Sequence, residues 1–409
     1  MTRNEPIRLL HFADIHIGME NFGTIDPVTG LNTRVLDFLS RLKEIVDYAI
    51  NNQIDCVLFA GDAFKTRDPN PTYQRGFARQ IMRLSRADIP TVLLVGNHDM
   101  PVMERRATSV DIYQTLEVPN IVIGEREEVH VIETKRGKLQ IATAPWPQRS
   151  RLLKDTTFHG KTQDELDREL ERIIGEELQR LAQETDPSLP AVLTGHFSVT
   201  GATFGSERNV MVGRDAIISL SALTHPAWDY VALGHIHKHQ NLNKDGYPAV
   251  VYSGSLERID FSEEDSAKGF CLVELRRGET TWQFMPLPVR DFVTIEANCL
   301  NDGDTPTEAV IRAIERREIK DAIVRVRIKL AQEQESKLRI KEIENALSEA
   351  RYIAGISREV QRDARQRIGL LNAESLTPAQ LVEQYFISKS VPEERMQELL
   401  GLARQIIEN

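Results

Sequence analysis

The side chains in this sequence best suited to chemistry are Asp, Asn and His, and they gather in five short motifs. These are Asp14-Ile15-His16, Gly61-Asp62, Gly96-Asn97-His98-Asp99, Gly195-His196 and Gly234-His235-Ile236-His237. Each follows an apolar run that reads as a buried strand. Ligands at the carboxyl ends of neighbouring strands converge on one rim, where a rigid sheet fixes them and loops stay open to substrate. The glycines let the backbone turn sharply beside them. Alternate residues of an extended segment face one side, so Asp14 pairs with His16 and His235 with His237. Oxygen and imidazole donors without cysteine suit manganese, iron or zinc rather than a thiolate site. Asp14, His16, Asp62, Asn97, His196, His235 and His237 are too many donors for one ion and suit two that share a carboxylate. Two such cations would neutralise an anionic phosphoester, acidify a water and steady the leaving oxygen. His98, next to Asn97, is placed to stabilise charge or to protonate that oxygen.

Taken singly, the motifs carry little. Asp-x-His arises often by chance, a lone histidine in a glycine-containing turn is more often structural, and Asp62 alone would serve as a helix cap. The signal is their shared position after apolar strands. His11, His130, His159, His225 and His239 lack that setting and read as ordinary.

The elements that must position these residues are legible as periodicities. Residues 7–13, 55–60 and 91–95 read as buried strands, and 34–50, 73–85 and 107–116 as helices, an alternating α/β pattern. Beyond about residue 120, short strands dominate, interrupted by a helix at 163–183. Further strands are expected at 191–194, 230–233, 249–253, 269–274 and 281–285. Strands from two halves of a chain imply two packed sheets with helices outside. Residues 288–291 read as a linker. The expected domains are 1–290, a small α/β module at 291–372, and helices at 373–409. The module would hold strands at 293–297 and 322–330 and helices at 307–317 and 337–350. In the tail, Thr-Pro and Val-Pro-Glu-Glu are helix starts. Its stripe of Leu381, Tyr385, Phe386, Met396, Leu399, Leu400, Leu402 and Ile406 packs either on its own domain or on a partner.

Composition sets limits. With 409 residues the chain expects two or three domains. It is 41% hydrophobic and 27% charged, the balance of a globular protein. No apolar run approaches the roughly 20 residues of a membrane span, and the first residues carry no secretory signal. Cys56, Cys271 and Cys299 lie far apart, which suggests neither a zinc site nor a disulfide framework and fits a reducing cytoplasm. The net charge of -10 argues against contacts with nucleic-acid phosphates. The charge is uneven, however: residues 312–367 hold 15 Lys/Arg and 10 Asp/Glu, a surplus of +5 that leaves -15 elsewhere. That segment is either a solvated helical face or a grip on phosphate.

The five motifs together resemble the pattern of the calcineurin-like metallophosphoesterase superfamily: DxH, GD, GNH(D/E), GH and GHxH. Within it the chain resembles the SbcD-type DNA-repair exonuclease subunits. Three stretches carry that narrower likeness: GDAFKTRDPNP, GHFSVTGATFGSERNVMVG and YSGSLERIDFSEEDSAKGF. The GDxxDRG ending of serine/threonine phosphatases is missing. The likeness covers about residues 7–290 and is weaker beyond, where the module matches a capping domain in position and size.

The resemblance implies a two-sheet α-β-β-α sandwich with a smaller capping domain. It implies that Asp14, His16, Asp62 and His237 hold one ion, and Asp62, Asn97, His196 and His235 the other. His98 would face the scissile phosphate, with Asp99 orienting it. It implies a nuclease dependent on Mn2+, with Mg2+ as the alternative, acting on double-strand ends and on single strands or hairpins in break repair. It further implies a homodimer formed through residues 73–85 and 107–116, and a partner SMC-like ATPase of the SbcC type, for which the C-terminal helices are the expected dock. Several archaeal relatives carry histidine three residues after the bridging Asp, where this chain has Lys65. Lys65, Arg316 and Arg317 are the candidate DNA contacts. No GxxxxGK[ST] loop occurs, so ATP dependence would come from the partner. A cyclic-nucleotide or phosphoprotein phosphoesterase, or an interaction protein with a decayed site, are the rival readings. The complete motif set speaks against decay.

Overall fold

Short runs of branched and aromatic residues become strands wherever both faces can be buried. A computed structural model describes residues 5–101, 106–148, 161–205, 216–303, 305–361, 377–389 and 391–407. In chain order its first strands are β1 (Ile7–Phe12), β2 (Cys56–Phe59), β3 (Thr91–Leu94), β4 (Ile121–Gly124), β5 (Glu128–Thr134), β6 (Gly137–Ala144) and β7 (Ala191–His196). Then follow β8 (Ser198–Val199), β9 (Ile217–Ile218), β10 (Tyr230–Gly234), β11 (Gln240–Asn241), β12 (Ala249–Tyr252), β13 (Gly269–Arg276) and β14 (Glu279–Pro286). They form two six-stranded sheets, β14-β13-β1-β2-β3-β4 and β11-β12-β10-β7-β6-β5, plus the pair β8-β9. Strands β1 to β4 run parallel, as do β6, β7, β10 and β12.

Strand periodicity sorts the side chains into layers. Leu10, Phe12, Val57 and Phe59 pack on Val35, Leu42, Phe77 and Leu84 of helices α1 (Thr33–Asn51) and α2 (Pro71–Arg86). Their neighbours Leu9, Cys56 and Leu58 point the other way, into a core shared with Ile141, Val192, Tyr230 and Val251. The far face of the second sheet, with Leu193, Val231 and Val250, is covered by Leu170, Ile174, Leu178 and Leu181 of helix Gln163–Glu184. This is the expected α-β-β-α sandwich. Caps set the helix starts: Asn32 and Asn70 accept from the backbone of Arg34 and Thr72, and Thr162 with Glu165 forms a capping box.

Two helices are shorter than their periodicity suggests. The expected helix at 107–116 is a single turn, Ile112–Thr115. Thr108 is tied to the Asp111 carboxylate at 2.7 Å from its amide, and Ser109 Oγ donates to Asp99 at 3.0 Å. These side-chain bonds compete with helical ones. The expected helix at 337–350 is reduced to Ile340–Ala346, where Thr307 Oγ1 takes the Arg339 amide at 3.0 Å.

The chain divides into two compact units. The first takes Met1–Thr294 with Glu318–Arg325 and Glu349–Ala354; the second takes Ile295–Arg317, Val326–Ser348 and Gly355–Asn409. A third sheet has the order β15 (Phe292–Asn298), β16 (Ile323–Ala331), β17 (Tyr352–Gln361). Strand β17 has no counterpart in the periodicities. In the second unit, helices Pro378–Ser388 and Glu393–Ile407 pack on each other. Leu400 is buried, while Tyr385 and Leu402 of the tail stripe are 50% and 58% exposed. The expected boundary at 372–373 lies outside the described residues, as do residues 206–213 of the GHFSVTGATFGSERNVMVG stretch and the last basic residues of the 312–367 segment. Among the described residues, no helix is long and apolar enough to cross a membrane.

Because Leu58 sits wholly between the two sheets, Leu58→Ala leaves a cavity where neither sheet can close in. A loss of about 2–5 kcal/mol is expected. Denaturant melts followed by tryptophan fluorescence measure it, and a loss near zero would show that this core is not packed as described.

Candidate metal centre

The parallel strands deliver their C-terminal residues to one rim. Beyond β1 and β2 the chains stay paired, with Asp14 N donating to Gly61 O and Ile15 N and His16 N both to Asp62 O, at 3.0–3.1 Å. The second sheet joins there: His235 N donates to the Asp14 carboxylate at 2.9 Å, and His196 Nδ1 meets Ala60 O at 2.7 Å. Asp14, His16, Asp62 and His235 all have positive φ, at 53°, 51°, 64° and 95°. That region is strained for residues with a side chain and concentrates at functional sites. Gly61 itself has φ of 98°, and a Cβ there would run into His196 Nδ1 and Gly96.

The donor atoms form two groups around one carboxylate. His16 Nε2 and His237 Nε2 lie 3.0 Å apart, with Asp14 close by. Asn97 Oδ1 lies 3.1 Å from His196 Nε2 and 3.2 Å from His235 Nδ1. Asp62 Oδ2 stands between the groups, 3.7 Å from His16 Nε2 and 3.3 Å from His196 Nε2. Ligands held at about 2.0–2.2 Å from a common ion lie roughly 3 Å from one another, so the spacing fits ion binding. All seven predicted donors are brought together, and all but half-buried Asn97 are buried.

The electrostatics point the same way. Burial pushes the His16 imidazole well below its ordinary value. Burial raises the Asp14 carboxyl to about 6. Burial also opposes ionisation of Asp62, but the His196, His98 and His16 imidazoles outweigh it and hold that carboxyl well below the usual range. His196 is desolvated too, yet Asp62 draws it up to about 9. Carboxylates buried among imidazoles are the surroundings in which a cation with open coordination positions would be bound.

His98 lies beside the donors, near enough to His16 and Asp62 to join them around an ion. Its Nδ1 lies 2.7 Å from the Lys65 carbonyl, its amide donates to Asp62 Oδ1 at 2.8 Å, and its ring is 4.9 Å from that of His16. A hydrogen on Nδ1 leaves Nε2 free to meet a substrate oxygen. Asp99 was expected to orient this ring, and it does not. Its carboxylate takes the amides of Asp62 and Ala63 at 2.8 and 3.1 Å, that of Gly96 at 3.1 Å, and the Ser109 hydroxyl. A buried carboxylate among three such amides binds them in preference to an imidazole already paired. Asp99 therefore clamps the second and third loops together.

The family model for calcineurin-like phosphoesterases matches residues 7–239. The chain belongs to the calcineurin-like phosphoesterase family. It is 30% identical over 284 residues to the SbcD subunit of nuclease SbcCD from Bacillus subtilis (strain 168), an alignment covering 68% of each chain. It is 27% identical over 280 residues to the SbcD subunit from Escherichia coli (strain K12), covering 67% of this chain and 66% of that one. With DNA double-strand break repair protein Mre11 of Haloferax volcanii it shares 24% identity over 322 residues, covering 79% of this chain and 61% of that one.

Three features of this phosphoesterase centre escaped the motif reading. Trp146 lies against His235 with ring centroids 4.9 Å apart, its amide anchored to Val95 O at 3.1 Å. Exposed Arg67 donates from Nε to the Asn97 carbonyl at 3.3 Å. Glu263 meets His237 Nδ1 at 3.1 Å. All three reach the site through contacts distant in sequence; Arg67 and Glu263 lie within the quoted stretches GDAFKTRDPNP and YSGSLERIDFSEEDSAKGF, but nothing in those stretches names their partners. Of the candidate DNA contacts, Lys65 is at the site through its carbonyl, while Arg316 and Arg317 are exposed just past helix Pro306–Glu315 of the second unit.

Since Asp62 lies between the two donor groups, Asp62→Ala is expected to remove both ions. Metal counting on the purified variant checks this, and two ions per chain would refute the shared carboxylate.

Proposed function

We propose that this phosphoesterase is a manganese-dependent DNA nuclease working on DNA ends and hairpins in double-strand break repair with an SbcC-type ATPase. The convergence of seven donors, Asp62 between the two groups of them, carries the phosphodiesterase part of the reading. The likeness to the SbcD subunits of nuclease SbcCD supports DNA as the substrate. Bound there, two divalent ions supply the positive charge that neutralises a phosphodiester and acidifies the attacking water. Asp14, His16, Asp62 and His237 would hold one, and Asp62, Asn97, His196 and His235 the other. His98 would present Nε2 to the phosphate, with the Lys65 carbonyl holding the ring by its Nδ1 hydrogen; a ring that also carries a hydrogen on Nε2 would donate it to the leaving oxygen. Asp99 keeps Asp62 and Asn97 in register by clamping their loops.

DNA would be read by shape and phosphate, through Lys65 at the centre and Arg316 and Arg317 in the second unit. Exposed Ile112 and Leu116, at 53% and 66%, are apolar enough to support the homodimer reading. The exposed faces of the last two helices support docking of the ATPase.

End-labelled linear duplex is expected to be cut with Mn2+, more weakly with Mg2+, and not with chelator. His98→Ala should keep both ions and lose about 10²–10⁴-fold in turnover. Full activity in that variant would sink the role of His98, and no cutting under any metal, with the ATPase added, would sink the nuclease reading. DNA binding should weaken steeply with salt, as phosphate contacts require; a flat response measured by anisotropy contradicts it. A chain ending at residue 375 should lose the ATPase in pull-down, and normal retention would move the dock elsewhere.

A further inference from the structure

The ring of His237 is held from behind by a carboxylate. Its Nε2 faces His16 while Nδ1 meets Glu263 Oε1 at 3.1 Å. By contrast, the rear nitrogens of His196 and His98 meet the carbonyls of Ala60 and Lys65. Glu263 Oε2 takes Lys268 Nζ at 3.0 Å and the Ile259 amide at 2.8 Å. Lys268 Nζ donates onward to the His237 carbonyl at 3.0 Å and to Ser255 Oγ at 2.8 Å. Glu263 and Lys268 are each only 1% exposed.

Local sequence builds this arrangement. Glu263 ends the short turn Phe261–Glu263, which Asp260 caps by accepting the Ser262 amide at 2.7 Å. Phe261 anchors the turn against Phe22 and Phe292, with ring centroids 5.4 and 5.0 Å away. Lys268 directly precedes β13. A buried ion pair rarely stabilises a fold more than apolar residues of the same volume would. Its worth here lies in what it points at.

We propose that Glu263, ion-paired to Lys268, is a positioning residue for one ion only, the one on the Asp14–His16–His237 side. It fixes the hydrogen of His237 on Nδ1, orients the ring, and strengthens Nε2 as a donor. Lys268 binds the carboxylate and the His237 backbone together, so the ring and its anchor move as one piece. On the other side the rear nitrogen of His196 meets the Ala60 carbonyl instead of a carboxylate. The inference rests on the two-ion reading of the centre.

The test is Mn2+ titration of the full chain by calorimetry, with metal counting and thermal melts, for wild type, Glu263→Gln and the double variant Glu263→Gln/Lys268→Met. The double variant leaves no charge unpaired in the interior and guards against a simple folding failure. Wild type should take up two ions. Both variants should bind one ion as wild type does and the other about 10–100-fold more weakly. A folded double variant with two ions at wild-type affinity, or with both weakened alike, overturns the positioning role while the two-ion centre stands. Wild type that takes up no Mn2+ removes the centre and the positioning role together.

Discussion

A single carboxylate, Asp62, is shared between two sets of imidazoles and is almost wholly shut away from water. Placing an ionised acid there is costly unless neighbours compensate it. The surrounding structure is arranged around that demand. Both sheets must end at the same rim, which the bonds from His235 to Asp14 and from His196 to Ala60 secure. The backbone must turn within one or two residues of each strand end, and so Asp14, His16, Asp62 and His235 adopt left-handed conformations. Each such residue stores about 1–3 kcal/mol. The three apolar layers of the sandwich hold the strand ends that carry these residues.

Asp99 shows how the strain is contained. Three amides from two loops converge on its carboxylate, so the loops bearing Asp62 and Asn97 cannot shift independently. Gly96 matters for the same reason: a Cβ there would strike Asp62 itself. The small residues of the motifs are thus spacing devices, and the donors keep their mutual distances because no bulk intervenes between the loops.

The sheets and the seven donors were legible because each donor sits within four residues of an apolar strand, and strand burial is the strongest pattern a sequence displays. What was not legible depended on distant partners. Asp99 looked like the natural support of its neighbour His98, but three amides far away in sequence or across a loop claim it. Glu263 and Trp146 reach the histidines across 26 and 89 residues. The helix expected at 107–116 had the right spacing, yet Thr108 and Ser109 spend their side chains on carboxylates and unwind it to one turn. Strand β17 went unseen because its residues are mostly exposed or half-buried, and alternation fades where only one face is covered.

Charge is the remaining tension, since a chain with net charge of -10 is proposed to act on a polyanion. In the second unit many cations are already committed: Arg312 to Asp302, Arg327 to Glu296, Lys329 to Glu359, and Arg339 to Glu308 and Glu342. Exposed pairs of this kind contribute little, so a phosphate can displace the acid at little cost. The local surplus therefore counts for more than the pairing suggests, while the acidic remainder repels the duplex elsewhere. At the centre itself net charge is beside the point. Buried carboxylates such as Asp14 and Asp62 are what would gather divalent cations, and bound there those cations would supply the positive charge for the scissile phosphate. An acidic protein can bind a phosphodiester strongly at one place because its acids sit behind metal there. The acids that lower the overall charge and the positive potential at the reacting phosphate are, at Asp14 and Asp62, the same groups.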